Sequence, residues 1–121
     1  MNRLDDLRAL PFSFEGTREE YPWEHTAPVF KTAKGKMFIM SVVEGGVLRI
    51  TVKPTPNESA EARMLPFITV APYVGKHGWV SVRISNDFEW ETAVGLIRRS
   101  HELVSAGPRG AARLRRATEQ E

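Results

Sequence analysis

The 121-residue sequence predicts an α+β domain in two layers, an antiparallel sheet of about five strands with three helices on one face, in the order α-β-β-β-α-β-β-α. Two segments alternate with the period of a half-buried strand: Leu48, Ile50 and Val52 against Arg49, Thr51 and Lys53, and Val80, Val82 and Ile84 against Trp79, Ser81 and Arg83. Three other segments repeat apolar residues at helical spacing and carry start or stop signals, so each has one face to bury. Glycine-bearing breaks separate the strand-like runs, as a meander of neighbouring strands requires.

Leu4, Leu7 and Leu10 form the first helical stripe, with Asn2 as a candidate N-cap, Asp5 and Asp6 favouring a helix N-terminus, and Pro11 stopping the run. Residues 12–27 hold Phe12, Phe14, Tyr21 and Trp23 without a clean period and read as loop with at most one irregular strand. Strands are expected over 28–31, 36–43 and 47–53, broken at 32–35 and 44–46. Thr55-Pro56-Asn57-Glu58 fits a capping box with proline at the first helical position, and the helix it opens should run to about Leu65 before Pro66. Residues 67–70 read as a short strand or an extended link. Val74-Gly75-Lys76-His77-Gly78 is a glycine-bracketed turn leading into the strand at 79–84. Ser85, Asn86 and Asp87 then offer caps to the longest helix, whose stripe of Trp90, Ala93, Val94, Ile97, Leu103 and Val104 is expected to end near Ala106, before Gly107-Pro108.

Composition bounds the chemistry. With no cysteine, the chain can form neither a disulfide scaffold nor a cysteine-ligated zinc site. Its N-terminal residues are acidic where a secretory signal would be apolar, and no run approaches the length of a membrane span, so a soluble cytoplasmic protein with no membrane partner is expected. The net charge of +2 sits in the last residues: four arginines against two glutamates follow Gly107, leaving 13 of the 17 cations and 13 of the 15 acids in residues 1–106. The expected organisation is a single domain over 1–106 and a flexible arginine-rich tail over 107–121. A basic surface on the domain must then come from segregation of charge.

His25, His77 and His101 have no close helical or turn spacing to one another, so no metal site or other cofactor is expected. His25 with Glu24 could approach His77 to move a proton, but no catalytic residues are assigned. The glycines around Lys76 lack the phosphate-loop and dinucleotide patterns. Arg49, Lys53, Lys76 and Arg83 can meet phosphates from one sheet face and its adjoining turn, while Tyr73 and Trp79 offer stacking surfaces. The same cations also fit a solvated strand face. A rival arrangement is a cleft between that turn and the Trp23–His25 loop, taking a protein or an aromatic small molecule on Trp79, Tyr73 and His77. Trp90 lies on the helical stripe and reads as core, and His101 as a surface or boundary residue.

Two blocks resemble the MmcQ/YjbR family of small bacterial proteins: Tyr21-Pro22-Trp23-Glu24-His25 with Pro28-Val29-Phe30-Lys31 and Gly35-Lys36-Met37-Phe38, and Ala71-Pro72-Tyr73-Val74-Gly75-Lys76-His77-Gly78-Trp79-Val80-Ser81-Val82. The second is the more specific. Leu96 to Val104 is also similar to the family's last helix, so the resemblance covers roughly residues 2 to 106. It implies a frataxin-like or secretion-chaperone-like α+β fold and a role in DNA binding, the paired hairpins looking like a double wing, with no settled catalytic activity. The sequence departs from the family pattern around His25-Thr26-Ala27, and the arginine-rich tail lies outside the shared region. The expectation is weak, sequence-tolerant DNA binding through a basic and aromatic sheet face, with a protein- or small-molecule-binding module as the alternative.

Overall fold

The computed structural model describes residues 3–10, 13–21, 27–71 and 77–119. The order is α1 (Leu4–Ala9), β1 (Arg18–Glu20), β2 (Val29–Lys31), β3 (Met37–Glu44), β4 (Val47–Val52), α2 (Pro56–Ala62), β5 (Ile68–Val70), β6 (Val80–Ile84) and α3 (Asp87–Glu119). Six strands form one sheet in the order β1-β2-β3-β4-β6-β5, every neighbouring pair antiparallel. The sheet is one strand larger than expected because Arg18–Glu20 pairs with β2. Its charged side chains carry no apolar alternation, so only the pairing partner makes it a strand.

Register places the apolar halves of the alternating strands together. Leu48 lies opposite Ile84, Ile50 opposite Val82, and Val52 opposite both Ile39 and Val80, and all of these side chains are buried. Ile68 on β5 lies opposite Val82 and extends the same layer. At the β2–β3 pair, Phe30 faces Ile39 while Lys31 faces Met37, leaving Phe38 as an inserted residue. Such a bulge turns consecutive side chains toward one side. Phe38 and Ile39 are both fully buried.

The helical layer covers this face through Leu7 of α1 and Ala93 and Ile97 of α3, with Ala62 of α2 and Trp90 packed at the edge. Trp90 therefore joins the core margin, under the Arg3 guanidinium 5.9 Å from its ring centroid. His101 is a boundary residue, stacked on Phe14 with ring centroids 4.1 Å apart and edge-on to Phe38 at 4.9 Å. Ser100, fully buried one residue earlier, donates to the Phe38 carbonyl at 2.7 Å and accepts the Lys53 N–H at 2.9 Å. That hydroxyl clips the middle of α3 to the exit of β4.

Helix boundaries shift for local reasons. Asn2 lies outside the described residues, and α1 is preceded by Arg3, which makes no side-chain cap. The capping box of α2 is formed, Thr55 accepting from Glu58 N–H at 3.3 Å and Glu58 accepting from Thr55 N–H at 2.9 Å. The helix ends at Ala62 rather than near Leu65, the chain closing in tighter turns in which Met64 N–H donates to the Glu61 carbonyl and Leu65 N–H to the Ala62 carbonyl. The long helix breaks at Gly107, with φ 73° and ψ −178°, as the Gly107-Pro108 pair predicts; what the sequence pattern does not show is that helix resumes beyond it as far as Glu119. That backbone is open almost exclusively to glycine, and a proline immediately after it suits the first turn of a new helix. Among the described residues, no helix is long and apolar enough to cross a membrane.

Candidate nucleic-acid interface

Beyond Val52 the chain leaves β4 as Lys53-Pro54-Thr55, its first N–H fixed by Ser100 and its last residue opening α2. About two helical turns on, Arg63 lies just past the end of α2 and donates from its Nε to the Ser59 carbonyl at 3.2 Å. From the other side, His77 and Gly78 lead into Trp79 and β6, and Gly78 takes φ 90° close to the Pro54 carbonyl. Leu103 from α3, and Ala111 and Arg115 from the segment after Gly107, complete a cleft of about 500 Å³.

Among the described residues, those lining this cleft include Lys53, Arg63, Arg115, His77 and the half-buried Trp79, and none of them is acidic. The acid of the capping box is turned elsewhere. Both Glu58 oxygens accept from Arg99 Nε, at 3.0 and 2.8 Å, tying α2 to α3. Burial alone would raise the Glu58 carboxyl, but the hydrogen bonds from Arg99 and Thr55 outweigh it and hold the group below its ordinary value. Glu58 thus stays ionised and spends its charge on Arg99.

Arg49 and Arg83 lie apart from this cleft. They are direct partners on β4 and β6, on the sheet face away from the helices, where Thr51 faces Ser81 with the two hydroxyl oxygens 3.5 Å apart. Between them is a shallow hollow of about 70 Å³, also lined by Ser81, Thr69 and Phe67. Arg83 donates to Glu89 at 3.4 Å, and Arg49 approaches Glu44 at 4.0 Å, so both cations have acidic neighbours. Glu89 is buried; burial pushes its carboxyl up, yet hydrogen bonds from Ser85 and Arg83 bring it below the ordinary value.

The structure thus divides the predicted site residues. Lys53, His77 and Trp79 converge in the cleft, whereas Arg49 and Arg83 form a separate pair on the sheet. Tyr73, Lys76, Trp23 and His25 lie outside the described residues. Arg63 and Arg115 are not among the residues that the sequence pattern points to. Arg63 falls one turn after the buried Ser59, which is a local signal, but Arg115 enters only because the chain turns at Gly107. Among the described residues, no three His, Cys, Asp or Glu side chains gather to hold a metal.

The model of the YjbR family matches residues 12–103. The chain belongs to the YjbR family. Among solved structures, it is similar to a Deinococcus radiodurans protein with a DUF419 domain, at 26% identity and a TM-score of 0.72 over 84% of this chain and 78% of that one. A Pseudomonas syringae protein solved by a structural genomics consortium matches at 23% identity and a TM-score of 0.63, over 86% of this chain and 99% of that one. No functionally curated protein matches. The YjbR match contains Lys53, Arg63, His77 and Trp79 but ends before Arg115, so one wall of the cleft is built by sequence beyond the family domain.

Proposed function

We propose that this YjbR-family protein is a cytoplasmic module that binds nucleic acid weakly and with little sequence preference, through the cleft at the exit of β4 rather than through the Arg49–Arg83 face. The observation that carries this reading is that Lys53, Arg63, Arg115 and Trp79 line one cleft, whose lining among the described residues includes no acidic residue. Cations supply phosphate contacts that do not depend on sequence, and an indole offers a stacking surface that any base can use. Among the described residues, α3 packs on the sheet through Ala93 and Ile97 and α2 packs against α3, so neither of those faces is presented as a groove-reading element.

The concave shape also favours a second reading. A volume of about 500 Å³ lies within the range of small-molecule pockets, and an anionic aromatic compound would use the same cations and indole. Titration of a labelled oligonucleotide at 50 and 200 mM salt separates the two. Three phosphate contacts on a single strand predict a loss of about 20-fold in affinity across that interval. No measurable binding at 50 mM would move the small-molecule reading ahead.

A further inference from the structure

The wall, the volume and the indole together restrict what form of nucleic acid can use the cleft. We infer that the cleft takes one unpaired nucleotide of a single strand, its base against Trp79 and its flanking phosphates on Lys53, Arg63 and Arg115, with the helical segment after Gly107 serving as the outer wall. This rests on the proposed function and narrows it to single strands.

A space of about 500 Å³ lies in the size range of pockets for one nucleotide-sized ligand. A duplex keeps its bases paired and stacked inside, so it can present only its sugar-phosphate edge to such a space. Trp79, half-buried on the cleft wall, would then have no base to meet. An unpaired base can enter and stack, and the gain does not depend on which base it is. The cations reach the cleft that Trp79 also lines from different elements: Lys53 after β4, Arg63 after α2, and Arg115 on the segment beyond Gly107. A strand crossing the cleft therefore meets positive charge on more than one side of the inserted base. Among the described residues, Arg49 and Arg83 have Glu44 and Glu89 beside them, and their hollow of about 70 Å³ has room for roughly two waters, too little for a base.

The test uses the full chain and three probes: a ten-nucleotide oligothymidylate, a duplex of the same length, and thymidine monophosphate. The single strand should bind about tenfold more tightly than the duplex at equal salt. Trp79→Leu, which keeps apolar bulk but removes the stacking face, should abolish that preference and leave duplex affinity within about twofold, while Trp79→Phe should restore most of it. Arg115→Gln should weaken the oligothymidylate and the monophosphate alike. Equal, salt-sensitive binding of single strand and duplex would overturn the single-strand inference while leaving nucleic-acid binding in place. Preference retained in a folded Trp79→Leu variant would overturn it too. Binding of the monophosphate with neither polymer bound would overturn both readings.

Discussion

Arg49 and Arg83 face one another directly across the β4–β6 pair. Like charges opposite each other in an antiparallel sheet are unfavourable by a few tenths of a kcal/mol, and among the described residues Arg83 has the closer acidic partner, Glu89 at 3.4 Å, while Glu44 is 4.0 Å from Arg49. Replacing Arg49 with threonine should therefore stabilise the protein by about 0.2–0.5 kcal/mol at low salt. Urea unfolding in 1 M salt should show the gain disappear, since screening then acts over about 3 Å.

Strand parity makes a stronger prediction. Val82 is fully buried between Ile50 and Ile68, so Val82→Asp places an unpaired carboxylate in the core and should cost about 4 kcal/mol or more. From alternation alone, Arg83→Asp is expected to be mild. The ion pair changes that expectation: an aspartate there would sit beside the buried Glu89 carboxylate. Arg83→Gln should stay within about 0.5 kcal/mol, and Arg83→Asp should unfold at clearly lower denaturant than Arg83→Gln. Equal midpoints for those two variants would show that the Glu89 contact has no energetic weight.

Two classes of titrating group predict the pH dependence. Burial between Phe14 and Phe38 lowers the His101 imidazole below its ordinary 6.5. The unfolded chain then takes up a proton that the folded one resists, so stability declines as pH falls from about 6.5 toward the lower folded value. His101→Phe, which keeps the ring stack, should remove that decline. Glu58 and Glu89 act in a separate and more acidic window. Their folded values lie below the ordinary 4.5, so their contribution is present above it and is lost as pH falls through the folded values. Thermal unfolding from pH 7.5 to 3 should resolve the two steps, and only the upper one should vanish in His101→Phe.

Gly107 is the pivot of the last segment, and its φ of 73° with ψ −178° is closed to side-chain-bearing residues at a cost of about 1–3 kcal/mol. Gly107→Ala meets no steric neighbour there, so strain alone should act. The variant should keep the core and displace the helix carrying Arg115. Its expected signature is faster amide exchange over 109–119 with the exchange of β4 and β6 unchanged.

Features whose cause is local are legible in the sequence. Alternation identifies the buried sides of β4 and β6, and Thr55 with Glu58 announces the cap of α2, because each signal lies within a few residues of its effect. β1 is hidden because Arg18-Glu19-Glu20 becomes a strand only through its partner. The cleft is half legible. His77 and Trp79 stand together in the chain, but Lys53 joins them through the Ser100 clip, 47 residues away. Arg115 reads as tail because Gly107 ends a helical stripe by pattern, whereas in three dimensions it redirects one.

The central claim is that nucleic acid contacts the cleft and not the sheet face, and salt dependence compares the two most directly. In the full chain, Lys53→Gln/Arg63→Gln/Arg115→Gln should reduce the magnitude of the log-affinity against log-salt slope for oligothymidylate by about two, at about 0.7 for each phosphate that is no longer neutralised. Arg49→Gln/Arg83→Gln should leave the slope unchanged, with circular dichroism confirming that both variants are folded. A slope that drops in the sheet-face variant and persists in the cleft variant would contradict the account.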